Sequence, residues 1–259
     1  TEQNQEGEDI EKEDWNFNYT NITPEISNLE NNGTYIRVTD LYIDVANLFK
    51  DDSFLNELED DIERVLNFSL EKGITIRLNG KVLSKKGIYL LFSDRVKPYH
   101  FSGESNGVKY QVLAGLSYTG KPSVSGWYIY CNDRLVVESD TTELTGWGVR
   151  SNVNFHPDYA MFRGVLFLDS DDTLKLPLTT TKKGIDSTAS IYKIAKTKME
   201  EGMNYVLAFL KGVRKLEDSD DYRNTLDEEE DKKNVVELKN EDFSTYDSRK
   251  FIYPTLDTD

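Results

Sequence analysis

Eight residues, FRGVLFLD from Phe162 to Asp169, constrain the fold of this chain more than any other stretch. They form a near-continuous apolar run of strand length, the pattern of a β-strand covered on both faces. Downstream, Ile191, Ile194, Ala195, Met199, Met203, Val206, Leu207 and Leu210 recur at helical spacing. They predict a helix from about Ser190 to Arg214, weakened by Gly202. Between strand and helix lies TTTKKGID, Thr179 to Asp186. A lysine on such a loop is a point charge on a flexible stem with three donors, suited to meeting a phosphate.

Other elements follow from periodicity and turn chemistry. TYIRVTD (Thr34 to Asp40) alternates apolar and polar residues, as a half-buried strand does, and a short helical turn follows it. Phe54, Leu55, Leu58, Ile62, Val65, Leu66 and Leu70 share one face of a helix. Asp51, Asp52 or Ser53 can cap its start and Gly73 can end it. ITIRLNGKVL sets two alternating runs around Asn79-Gly80, a strong hairpin signal because both turn residues tolerate positive φ. Residues 87–99 carry no clear pattern. VKYQVLAGLSY (Val108 to Tyr118) reads as a long strand, and GWYIYCN pairs with RLVVESD as a second hairpin around Asn132-Asp133. Trp147, between two glycines, marks an ordered loop. The order predicts an α+β fold: a mainly antiparallel sheet with helices on one face.

The net charge of −16 belongs to the ends of the chain. Residues 1–14 carry −6 and residues 217–247 carry −9, which leaves −1 for residues 15–216. Blocks of like charge are usually solvated or disordered. The distribution does not support nucleic-acid binding by this segment, because phosphate contacts need clustered Lys and Arg. No apolar run approaches the ~20 residues of a membrane span. The single Cys131 sits in an apolar strand, which predicts a packed, inert thiol and fits a reducing, cytoplasmic setting. His100 and His156 are the only histidines and lack metal-ligand spacing, so no metal site is expected. The chain does not begin with Met, and a fragment of a longer protein is expected.

Taken in order, GTYIRVTDL (from Gly33), GWYIYCNDRLV, TGWG, FRGVLFLDSDD and TTTKKGID resemble the transducer region of bacterial GHKL-superfamily ATP-binding proteins. That superfamily includes type II topoisomerases, MutL-type repair proteins, MORC proteins and a heat-shock chaperone. The resemblance implies residues 33–72 as the end of an ATP-binding domain and residues 73–216 as the transducer. The transducer is a left-handed β-α-β fold shared with a small-subunit ribosomal protein. Residues 1–32 would be an acidic lead and residues 217–259 an acidic extension. By the same resemblance Gly33 and Thr34 lie at the adenine end of the pocket. Asn132 and Arg134 flank the hairpin turn, and Leu135 and Val136 enter the core. Lys182, with Lys183 as second choice, reaches the γ-phosphate of ATP.

The superfamily's magnesium-binding asparagine, its neighbouring glutamate, the Asp-x-Gly-x-Gly adenine site and the glycine-rich lid are not found in residues 1–32. ATP and magnesium are therefore expected in the full-length parent and not in this segment alone, which should not hydrolyse ATP. The implied role is a non-catalytic relay that couples nucleotide state to domain motion or dimer closure. Its expected partners are the missing ATP-binding domain and a second copy, with no membrane. DNA repair and phage defence both use such proteins. The rival reading is a nucleotide-independent interaction or scaffold domain whose acidic ends bind a basic partner, with Trp127 and Trp147 lining a binding face.

Overall fold

The structure, a computed structural model, describes residues 33–93, 96–181, 184–213 and 232–245. Contacts divide the chain into two compact units, Thr1–Leu48 and Phe49–Asp259. In the first, the short helix α1 (Ile43–Leu48) follows an extended run. The strand expected over Thr34 to Asp40 is not there, and Tyr35, Ile36 and Val38 are exposed. Alternation makes a strand only where a partner edge takes up the backbone donors and acceptors. Among the described residues no such edge pairs with this run.

The second unit opens with α2 (Asp52–Val65), whose start is capped by Asp51: its carboxylate accepts from the N–H of Ser53 (2.8 Å) and of Phe54 (3.1 Å). The single helix expected here is two. Leu66 leaves helical geometry (φ −105°, ψ 16°), and α3 (Asn67–Glu71) starts anew, burying Asn67, Phe68 and Leu70. The first predicted hairpin is β1 (Arg77–Leu78) and β2 (Lys81–Val82), with Asn79 and Gly80 at φ 49° and 82°.

A five-stranded sheet forms the centre. Its strands are β4 (Tyr99–Ser105), β5 (Val108–Leu116), β6 (Gly126–Cys131), β7 (Arg134–Asp140) and β8 (Phe162–Asp169), in spatial order β4-β5-β8-β6-β7. Only the β6–β8 pair is parallel. The second hairpin, β6–β7, turns through Asn132 (φ 45°) and Asp133 (φ 64°). The apolar run that anchors the sequence reading is β8, buried at every position but its last, between β5 and β6. The strand β3 (Tyr89–Leu91) falls in the stretch that carried no pattern, and pairs with β9 (Lys232–Asn234) in a separate two-stranded ladder.

Both faces of the sheet are covered, which corrects the expectation of helices on one face. The long helix α4 (Ser190–Val213) packs Ile191, Ala195, Met199, Met203 and Val206 against Val112, Ala114, Ile129, Leu166 and Leu168. On the other face α3 and α5 (Val235–Leu238) place Phe68, Val235 and Leu238 with Leu113, Tyr128, Tyr130, Val165 and Phe167. Strand period makes this necessary: successive side chains of β8 point to opposite faces and both sets are apolar. The tail also needs correction. Lys232 to Phe243 is no solvated acidic run; Val235, Leu238 and Phe243 are core residues. Lys239 Nζ clamps this segment to the end of the sheet through Asp133 (2.9 Å) in the β6–β7 turn and Asp169 (2.8 Å) at the end of β8. The acidic lead and residues 217–231 lie outside the described residues, as do residues 246–259. Among the described residues no helix is long and apolar enough to cross a membrane.

Candidate functional site

The lysine loop is the connection from β8 to α4. Leu178 and Ile185 form one antiparallel bridge across its base. The Thr179 N–H donates to the Gly184 carbonyl (3.0 Å) and the Asp186 N–H to the Pro177 carbonyl (2.8 Å). Ile185 is buried against the α4 side of the sheet and Leu178 packs on the same cluster, so the base of the loop is part of the core. The hydroxyls of Thr179 and Thr181 lie 3.3 Å apart. Asp186 Oδ1 accepts from the Thr188 hydroxyl (2.6 Å) and N–H (2.9 Å), which holds its carboxyl below the usual range and caps the turn into α4. Lys182 and Lys183 lie outside the described residues.

Gly33 and Thr34 belong to the first unit and are exposed. A Cβ on Gly33 would meet nothing within 4 Å, so no close approach demands a glycine there. Among the described residues no group of three or more His, Cys, Asp or Glu side chains is placed to hold a metal ion.

Residues of the hairpin serve the fold. Asn132 Nδ2 donates to the Ser170 carbonyl (2.9 Å) and the Ser170 N–H donates back to Asn132 Oδ1 (2.9 Å), tying the turn to the exit of β8. Leu135 is in the core and Val136 packs at its margin, whereas Arg134 is exposed. Trp127 and Trp147 are fully buried, their rings edge-on to Phe162 at 5.4 Å, so neither lines a binding face. Cys131 is buried and its thiol is pushed up to about 12 by desolvation, an inert sulfur at neutral pH.

Sequence reasoning missed a cavity beside the start of β8. About 550 Å³ in volume, it opens on the face opposite α4, between α2, β3 and the chain linking β5 to β6. Arg163 forms part of its wall and is 3% exposed. Its guanidinium donates through Nη1 to the Phe162 carbonyl (2.7 Å), the Ala160 carbonyl (2.9 Å) and Ser125 Oγ (3.0 Å), and through Nη2 to the Thr119 carbonyl (3.3 Å). Burial pulls its pKa down, opposed only by Tyr128. Among the described residues no carboxylate pairs with it; Asp169, at the other end of the strand, pairs with Lys239. The one available signal was a lone arginine inside a buried strand, which is costly unless something answers its charge. No protein-family model matches the chain, and no curated protein matches it.

Proposed function

We propose that this chain is the transducer of a GHKL-type ATPase, and that Lys182 reports the γ-phosphate of a nucleotide held by a neighbouring ATP-binding domain. One observation carries the reading. The loop that holds the lysine is bridged at its base by Leu178 and Ile185, between the central strand β8 and the long helix α4. A pull on such a loop is delivered to the packed core rather than lost in a slack connection. Packed elements shift between discrete arrangements, which is how a local contact becomes a domain movement.

Two further features support it. The sheet is mixed, with one parallel pair, β6–β8, joined by a crossover through β7 and residues 141–161. The first unit exposes Tyr35, Ile36, Val38, Tyr42 and Ile43, a run of apolar side chains of the kind that marks an interaction surface. On this reading the surface belongs with the rest of the ATP-binding domain.

A charge-assisted lysine–phosphate contact is worth roughly 1.5–3 kcal/mol. The differential contact with ATP over ADP drives the switch, since a ligand shifts an equilibrium only by its unequal affinity for the two states. In the polypeptide that joins this chain to an ATP-binding domain, Lys182→Ala should abolish ATP turnover while the circular dichroism spectrum stays unchanged. Normal turnover by that variant removes Lys182 from the mechanism.

A further inference from the structure

We propose that the cavity beside Arg163 is a binding site for a small organic oxyanion, a carboxylate or phosphate carried on a flat apolar body. The inference is independent of the lysine loop. Its first support is charge. Arg64, Lys86, Arg163 and Lys232 stand in the wall with Asp60 and Glu138, and Lys232 is itself engaged. Arg64 already meets Glu138 (2.8 Å) and Asp61, and Lys86 meets Asp60 (2.7 Å) and Glu63 (2.9 Å). Arg163, the most buried of the four, has no anion among the described residues. A buried charge without a counter-charge is expensive, and an anion entering the cavity relieves that cost.

The second support is a spare donor. All the hydrogen bonds of Arg163 leave from Nη1 and Nη2, and Nε donates to none of the described residues. A guanidinium N–H left without a protein acceptor at a cavity wall suits an acceptor-rich guest. The third support is shape. Tyr89, Tyr118 and Tyr128 contribute rings to the wall, with Tyr89 (42%) and Tyr118 (37%) still open to solvent. Aromatic walls with a few placed polar groups are the usual make-up of a small-molecule site.

The test titrates the full chain with phenyl phosphate, benzoate and neutral benzyl alcohol, followed by ligand-observed NMR and calorimetry. Saturable binding of at least one anion with Kd of about 1 mM or tighter is expected, with the alcohol at least about tenfold weaker. Arg163→Lys keeps the charge but loses the planar fork and should weaken anion binding about tenfold. Since Arg163 also ties down loop carbonyls, Tyr118→Ala is the companion variant. It should weaken binding about fivefold through lost ring contact and leave the unfolding midpoint in place. Tighter phenyl phosphate assigns a phosphate guest, and tighter benzoate a carboxylate. Failure of both anions to saturate folded wild-type protein overturns the proposal. So does equal affinity for the alcohol, or affinity unchanged by Tyr118→Ala.

Discussion

Gly164 shows how a single missing side chain sets the middle of the sheet. It lies opposite Trp127 in the parallel β6–β8 pair, and the indole occupies the space a Cβ would take. Gly164→Ala should therefore cost about 1–3 kcal/mol by overpacking, read as a lower denaturation midpoint with an unchanged slope. An unaltered midpoint would show that the indole can move aside. His100 contributes a pH dependence of its own. Its ring stacks on Phe243 at 4.0 Å, and burial pulls its pKa from 6.5 to about 4. The folded state thus favours the neutral ring, so the stabilisation is complete above pH 6.5 and is lost as the pH falls from there towards 4. His100→Gln should flatten the stability profile in that window, and an equally steep profile in the variant would assign the slope to other groups. Glu63 acts lower down. Hydrogen bonds from the Ser84 hydroxyl and N–H, with the Lys86 pair, hold it at about 2, so its share disappears only below about pH 4.5.

At the scale of elements, what the sequence disclosed tracks how local the physics is. Asn79-Gly80 and Asn132-Asp133 announced their hairpins because positive φ is a property of the turn residues themselves. β8 and α4 were legible from unbroken burial and helical period. The break at Leu66 was not, because one apolar face runs straight through it. β3 and β9 escaped because, among the described residues, each pairs only with the other, Tyr89 with Asn234 145 residues on, and neither has a period of its own. The tail misled for a related reason: Val235, Leu238 and Phe243 are few among acidic neighbours, yet all three are buried. Leu238→Ala should cost about 2–5 kcal/mol, checked by urea unfolding. A cost near zero would return the segment to the solvated extension first expected.

Across the whole molecule, the sheet with its two covered faces makes one body from Phe49 onward, and α2–α3 are built into it. Arg64 bonds Glu138 of β7 (2.8 Å), and the Tyr130 hydroxyl of β6 donates to Asn67 Oδ1 (3.1 Å). Helices that the resemblance assigns to the end of an ATP-binding domain thus share a core with the strands after them. The candidate sites were legible to different degrees. The lysine loop could be found because its residues are consecutive. The cavity beside Arg163 could not, because its wall is drawn from α2, β3, β7, β8 and the link after β5. The relay idea comes down to one comparison of affinities in the polypeptide that unites this chain with an ATP-binding domain. Wild-type protein should bind a non-hydrolysable ATP analogue about tenfold more tightly than ADP, and Lys182→Ala should bring the two within about twofold. The same preference in wild type and variant would contradict it.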